Sequence, residues 1–184
     1  MIIGNHIRLR AVEREDLPLF VRWLNDREVY RSLLIRSPLS LASEEKWYEN
    51  MLARPPAQHP LVIEIESPSG WQPIGTCSFH EIDWLNRSAE FGIMLGEKSE
   101  WGKGWGRKAV RLLVHHGFAN LNLNRIYLYV FASNERAIRA YQAAGFTTEG
   151  RLRQDIFQNG QYIDALVMGI LRSEWQMEAI HADR

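Results

Sequence analysis

Between His6 and Ala11 the chain alternates: Ile7, Leu9 and Ala11 fall on one side and His6, Arg8 and Arg10 on the other, which predicts a half-buried strand. The period then lengthens. Leu17, Phe20, Val21 and Leu24 recur at helical spacing, so a helix is expected that starts at Glu13 to Asp16, carries Pro18 in its first turn and stops near Asn25-Asp26. Residues 31–40 show neither period and read as a loop. Ser43, followed by Glu44, Glu45 and Lys46, opens a second helix that runs to about Ala53, where Pro55-Pro56 ends it.

Three strands come next. Leu61 to Glu66 alternates, Pro68-Ser69-Gly70 turns, Pro73 to Asp83 continues, and Asn86-Arg87-Ser88 turns again into Ala89 to Leu95. A Gly-rich stretch separates this strand from a helix, Arg107 to Leu121, which presents Val110, Leu113, Val114, Phe118 and Leu121 to a core. Ile126 to Phe131 is apolar and β-rich, as a central strand would be. Asn134 caps a helix from Glu135 to Ala144 that stops at Gly145. Thr147 to Phe157 and Tyr162 to Ile170 flank Asn159-Gly160, a strong hairpin signal. The order β-α-α-β-β-β-α-β-α-β-β predicts an α+β fold, a mixed and mostly antiparallel sheet flanked by helices.

Length and composition narrow the class. At 184 residues, 46% hydrophobic and 24% charged, the chain suits one globular domain, expected over residues 1–175 with residues 176–184 as a C-terminal tail. A net charge of zero gives no reason to expect nucleic acid or an anionic membrane as partner. The charge is nonetheless uneven: residues 1–92 hold 10 Lys/Arg against 13 Asp/Glu, and residues 93–184 hold 12 against 9. That split is compatible with an anionic cofactor in the second half and a cationic acceptor met by the first. Cys77 is the only cysteine, which rules out an internal disulfide or a thiolate metal cage and makes a reducing cytoplasm the expected home. The sequence has no apolar run of the ~20 residues that a membrane helix needs.

The chemistry gathers at Trp101-Gly102-Lys103-Gly104-Trp105-Gly106-Arg107. Glycines between a strand and a helix let the backbone approach a ligand closely, and the helix start aims unpaired N–H groups and a positive dipole end at one point, which suits a pyrophosphate. Lys103, Arg107 and Lys108 add positive charge. A P-loop would need Lys and then Ser or Thr after the last Gly, and a dinucleotide fold would need G-x-G-x-x-G; neither spacing is present. The stretch resembles the acyl-CoA loop of the GNAT superfamily of N-acetyltransferases, in which Gln or Arg is followed by two variable residues, Gly, one variable residue, and Gly or Ala. Gly104 and Gly106 match, and Trp101 stands where the Gln or Arg would be.

A second and more specific resemblance lies about thirty residues on. Asn134, Ala137, Tyr141, Gly145 and Phe146 follow N-x-x-A-x-x-x-Y-x-x-x-G-F, the pattern that in these enzymes borders the acyl-CoA arm. Asn134 is equally suited to plain helix capping, and Tyr141 to packing. The two motifs with their strands and helices cover roughly residues 61–170. Asn124 to Leu128, Ala144 to Gly150 and Asn159 to Tyr162 look like the branch of ribosomal-protein N-terminal and spermidine N-acetyltransferases, which also includes aminoglycoside and amino-sugar enzymes.

The resemblance implies acetyl-CoA as co-substrate, no metal, and an amine acceptor: a peptide N-terminus first, a polyamine second, an aminoglycoside third. A homodimer is one assembly it allows. The competing class is a CoA-binding sensor without turnover. The implied cofactor site comprises Met94 and Leu95, the loop from Trp101 to Arg107, Asn134 and Ala137. Amine attack on a thioester needs a neutral amine and a proton for the leaving thiolate. Tyr141 is expected to supply that proton. Glu90 would take the amine's proton, directly or through water, with Glu81 and Asp83 as fallbacks. Backbone N–H groups near Met94 and Leu95 would polarise the acetyl carbonyl. The six histidines show no i,i+4 pair, so they give no metal motif.

Overall fold

A computed structural model describes residues 1–175; the tail expected at 176–184 lies outside the described residues. A single sheet of eight strands runs through it in the order β1-β2-β3-β4-β5-β6-β8-β7. The first two strands, β1 (Ile2–Gly4) and β2 (Ile7–Ala11), form a hairpin whose turn holds His6 at φ 58°. β1 was not expected, because three residues are too few to show a period. β3 (Leu61–Ser67), β4 (Gly70–Asp83) and β5 (Ser88–Leu95) continue antiparallel as predicted. β6 (Arg125–Phe131) lies parallel to β5, and β8 (Gln161–Leu171) separates it from β7 (Thr147–Gln158). Asn159 and Gly160, at φ 51° and 79°, have the two positive values that a two-residue hairpin turn of the primed type demands.

Helices cover both faces and enclose the two larger cores; a small third cluster joins Phe131, Ile156 and Ala165. α4 (Trp105–Ala119) and α5 (Glu135–Ala143) pack on one face, where Val110, Leu113, Val114 and Phe118 meet Ile63, Phe79, Ile126 and Leu128. α1 (Leu17–Leu24) and α3 (Leu41–Leu52) close the other face with Phe20, Trp23, Tyr48 and Met51 around Val62. Trp23, rather than the expected Val21, is buried from α1; it stacks on Phe20 and fills the space over Gly96, where a β-carbon would lie 2.1 Å from the indole. Glu64, buried on β3, accepts from Arg8 Nε at 2.6 Å and Arg10 Nε at 2.9 Å, and Arg10 also donates to Asp16 at 2.7 and 2.8 Å. This ties the start of α1 to the sheet.

Two helix starts differ from expectation. Ser40, not Ser43, caps α3, its hydroxyl accepting from Ser43 N–H at 3.1 Å. A short α2 (Arg27–Tyr30) follows the predicted stop of α1, with the Asp26 side chain accepting from Glu28 N–H at 2.9 Å. Lys98 then bridges Asp26 and Glu28 at 2.8 and 2.6 Å, joining α2 to the segment that leads into the Gly-rich loop.

Candidate active site: a fork in the sheet

β5 and β6 pair for only three residues. Ser88, Ala89 and Glu90 face Arg125, Ile126 and Tyr127, after which the strands part, β5 staying with β4 and β6 with β8. Beyond Glu90, then, the β6 side of β5 has no strand partner, and alternate backbone groups between Phe91 and Leu95 open into the gap. The gap is part of a cleft of about 1410 Å³. Its walls include Met94 and Leu95 from β5, Asn134, Ala137 and Tyr141 around α5, and Glu90 at the point of divergence. From the loop it takes Trp101, Gly102, Lys103 and Gly104, and from the first turn of α4 Gly106 and Arg107.

The sequence thus brings its predicted site together, with one side chain excepted. Trp105 does not line the cleft: its indole N–H donates to Glu100 Oε2 at 3.0 Å and its ring packs on the first core. The reason is that α4 begins at Trp105 rather than at Arg107, which turns that side chain away from the loop. Glu100 also accepts from Lys103 at 3.0 Å, so one carboxylate braces both sides of Gly104. Gly102 and Gly104 hold φ of 79° and 86°. With Lys108 N–H bonded to Gly104 O at 3.1 Å, the amides of Trp105, Gly106 and Arg107 have no intrahelical acceptor, as anion binding at a helix start requires.

Trp101 has a task of its own in place of Gln or Arg. Its Nε1–H donates to Leu95 O at 2.9 Å, pinning the loop to the end of β5, and the Arg136 guanidinium lies 4.0 Å over its ring. Burial, and secondarily the like charge of Arg31, lower the Arg136 pKa from its usual value. An anion in the cleft would relieve both. With Lys103, Arg107 and Arg139 also on the wall, this end suits the phosphates of CoA.

Tyr141 sits edge-on to Phe91 with ring centroids 6.3 Å apart, and 6.0 Å from Phe146. Burial pushes its phenol up to about 12, so it keeps its proton throughout the neutral range. Asn134 accepts from Ala137 N–H at 3.2 Å and caps α5, fixing the helix that carries Tyr141. We predict that Asn134→Ala lowers stability by about 1 kcal/mol and weakens acetyl-CoA binding with little change in kcat, as calorimetry and steady-state rates would record. The fallback carboxylates lie elsewhere: neither Glu81 nor Asp83 lines the cleft, and Asp83 accepts from Asn86 N–H at 2.8 Å and Asn86 Nδ2 at 2.6 Å, bonds that lower its pKa and serve the β4–β5 turn. Burial raises the Cys77 thiol, far from the thiolate that nucleophilic chemistry needs. Among the described residues, no group of three or more His, Cys, Asp or Glu is placed to hold a metal.

The cleft wall also carries carboxylates: Glu28, Glu44, Glu90 and Asp155 line it. Glu44 is only 5% exposed, burial raises its carboxyl, and it makes no ion pair among the described residues. The sequence groups Glu44 with Asp26, Glu28, Glu45 and Glu49 around the early helices as carboxylates that could attract a cationic acceptor; of these, Glu28 and Glu44 line the cleft, and the burial of Glu44 follows from where α3 packs. No helix of the described residues is long and apolar enough to cross a membrane.

A split parallel pair, a Gly-rich helix start with basic walls and a buried tyrosine define an acyl-CoA-dependent transferase. Residues 6–147 match the acetyltransferase (GNAT) domain family, and the chain belongs to it: it is an acetyl-CoA-dependent N-acetyltransferase. It is 32% identical to the spermidine N(1)-acetyltransferase of Vibrio cholerae over 94% of this chain and 97% of that protein. The crystal structure of spermidine N-acetyltransferase from Vibrio cholerae in complex with CoA and spermine superposes with a TM-score of 0.84, covering 92% of this chain and 97% of that one. A putative ribosomal N-acetyltransferase of Bacillus subtilis is 34% identical over 56% of each chain.

Proposed function

We propose that the acceptor is a small polycationic amine of the spermidine class, acetylated on a primary amino group. The observation that carries this is Glu44, a buried carboxylate on the cleft wall without an ion pair among the described residues. A buried anion lacking a counter-charge is costly, and a second ammonium on the substrate would supply it. Asp155 adds a further carboxylate to the wall, and Glu28 another that it shares with Lys98, which suits an acceptor with several charges better than the single ammonium of a peptide N-terminus. The polyamine relatives support the same order, which reverses the ranking expected from the sequence.

In this reading Gly102 to Arg107 hold the pyrophosphate through backbone amides, with Lys103 and Arg107 adding charge. Asn134 and Ala137 border the arm, and Trp101 keeps the loop against β5. N–H groups of the unpaired stretch around Met94 and Leu95 polarise the acetyl carbonyl. Glu90 draws the reacting ammonium to the fork and starts its proton on its way, directly or through water. The amine then attacks the carbonyl carbon, and Tyr141 gives its proton to the departing thiolate. The reading includes a cytoplasmic setting and a homodimer, the latter checked by light scattering.

Glu44→Gln is expected to raise the KM for spermidine about tenfold, in line with loss of a charge-assisted bond. Acetyl-CoA affinity should hold. Rising ionic strength should lower kcat/KM for spermidine more than for a neutral peptide. An unchanged KM in Glu44→Gln would contradict the proposal.

A further inference from the structure

β4 and β5 fall out of step at one place. Ser78 faces Gly92 and Phe79 faces Phe91, but pairing resumes at Ile82 with Ala89, so His80 and Glu81 together oppose Glu90. A bulge of this kind re-aims a side chain. The His80 ring folds over Gly92, where an added β-carbon would lie 2.1 Å from Nε2. Only a residue without a side chain leaves that space. His80 Nδ1 is 3.4 Å from the hydroxyl of Ser78, itself 6% exposed. Ser78, His80, Gly92 and Glu90 all line the cleft, and Gly92 lies between Glu90 and Met94 on β5.

We propose that His80 is a catalytic residue, receiving at Nε2 the proton that the acceptor ammonium loses beside Glu90, while Ser78 positions the ring. The inference rests on the amine-acetylation reading. With Nδ1–H donating to Ser78, Nε2 keeps its lone pair. The ammonium gives Nε2 one proton and becomes a neutral amine, whose lone pair forms the C–N bond to the acetyl carbon. The C–S bond breaks, the thiolate takes the Tyr141 proton, and the amide nitrogen's surplus proton returns to Tyr141. His80 passes its proton to solvent, so one proton leaves per turnover. A neutral imidazole carries a proton on one nitrogen and a lone pair on the other, so one ring can donate at Nδ1 and accept at Nε2. The titratable and charged groups that share its cleft are Cys77 on β4, Glu90 on β5, Tyr129 on β6, Asp155 on β7, Glu28 on α2, Glu44 on α3, Lys103 in the loop, Arg107 on α4, and Arg136, Arg139 and Tyr141 on α5. Glu81 is its neighbour on β4.

The test uses the full chain, spermidine and acetyl-CoA. His80→Gln should lose about 100-fold in kcat, bind acetyl-CoA by calorimetry within twofold of the parent, and lose the acidic limb of the kcat/KM profile against pH. Free imidazole should restore part of the rate to His80→Ala. Gly92→Ala, which displaces the ring without touching it chemically, should lose rate in parallel while melting near the parent temperature. Ser78→Ala should lower kcat several-fold with KM unchanged. A His80→Gln enzyme with parental rate and pH profile overturns the proposal, as does loss of the acidic limb in Glu90→Gln alone. Parental turnover separates the two readings: if the parent acetylates spermidine and His80→Gln does so equally, only the role of His80 falls. If the parent acetylates no amine, the acetyl-transfer reading falls and this one with it.

Discussion

Tyr141→Phe is expected to lower kcat by about 100-fold or more while leaving the dissociation constant of acetyl-CoA within about twofold. The substitution removes one hydroxyl and keeps the ring that packs between Phe91 and Phe146. Ground-state contact is therefore nearly preserved, and the proton for the thiolate is lost. The pH dependence has a definite sign. Burial alone raises the phenol to about 12, so as pH climbs from 7 to 10 the group stays protonated and remains competent as a donor. An alkaline limb well below pH 12 in the parent enzyme should thus come from another group and should persist in Tyr141→Phe. Full turnover by Tyr141→Phe on a good acceptor would remove the tyrosine from the mechanism.

Gly104→Val is expected to weaken acetyl-CoA binding by about 10- to 100-fold, corresponding to the ~1–3 kcal/mol of strain that a side chain suffers at a left-handed position. Gly104 has φ 86° and a β-carbon there would meet nothing within 4 Å, so the penalty is conformational and not a clash. Relaxing the strain would turn the first amides of α4 away from the phosphate. Gly150→Ala is the matched control: its surroundings are equally open and its φ lies outside the positive range, so it should bind as the parent does. Calorimetric titration of CoA distinguishes the two. Equal affinity in Gly104→Val would mean that the loop does not hold the pyrophosphate through its backbone.

The two motifs were legible because each is a local device. A Gly-rich helix start and an Asn-capped helix announce themselves within a few residues, and Asn159-Gly160 gave the last hairpin for the same reason. The fork was visible only in part. Glu90 and Met94 could be assigned to a strand, but that β5 and β6 stay together for three residues and then part is a property of the whole sheet. Short elements escaped for want of a period: β1 has three residues and α2 has four. The start of α4 at Trp105 redirected one indole toward Glu100, a two-residue shift that patterning does not resolve. His80 was hidden more deeply. Alternation puts it on the strand face of Ser78, yet its approach to Gly92 depends on a bulge between β4 and β5 that nothing in its own neighbourhood encodes. Glu44 was legible as one of an acidic group around the early helices, but its burial beside the cleft depends on where α3 packs.

The most direct measurement is a competition in one vessel: limiting acetyl-CoA, the full chain, and equal concentrations of spermidine, a peptide with a free N-terminus and an aminoglycoside, with products read by mass spectrometry. Our account predicts that the acetyl group appears on a primary amine of spermidine and that the Glu44→Gln enzyme shifts the distribution away from it. Acetyl groups found on the peptide α-amine, with spermidine recovered unmodified, would contradict it.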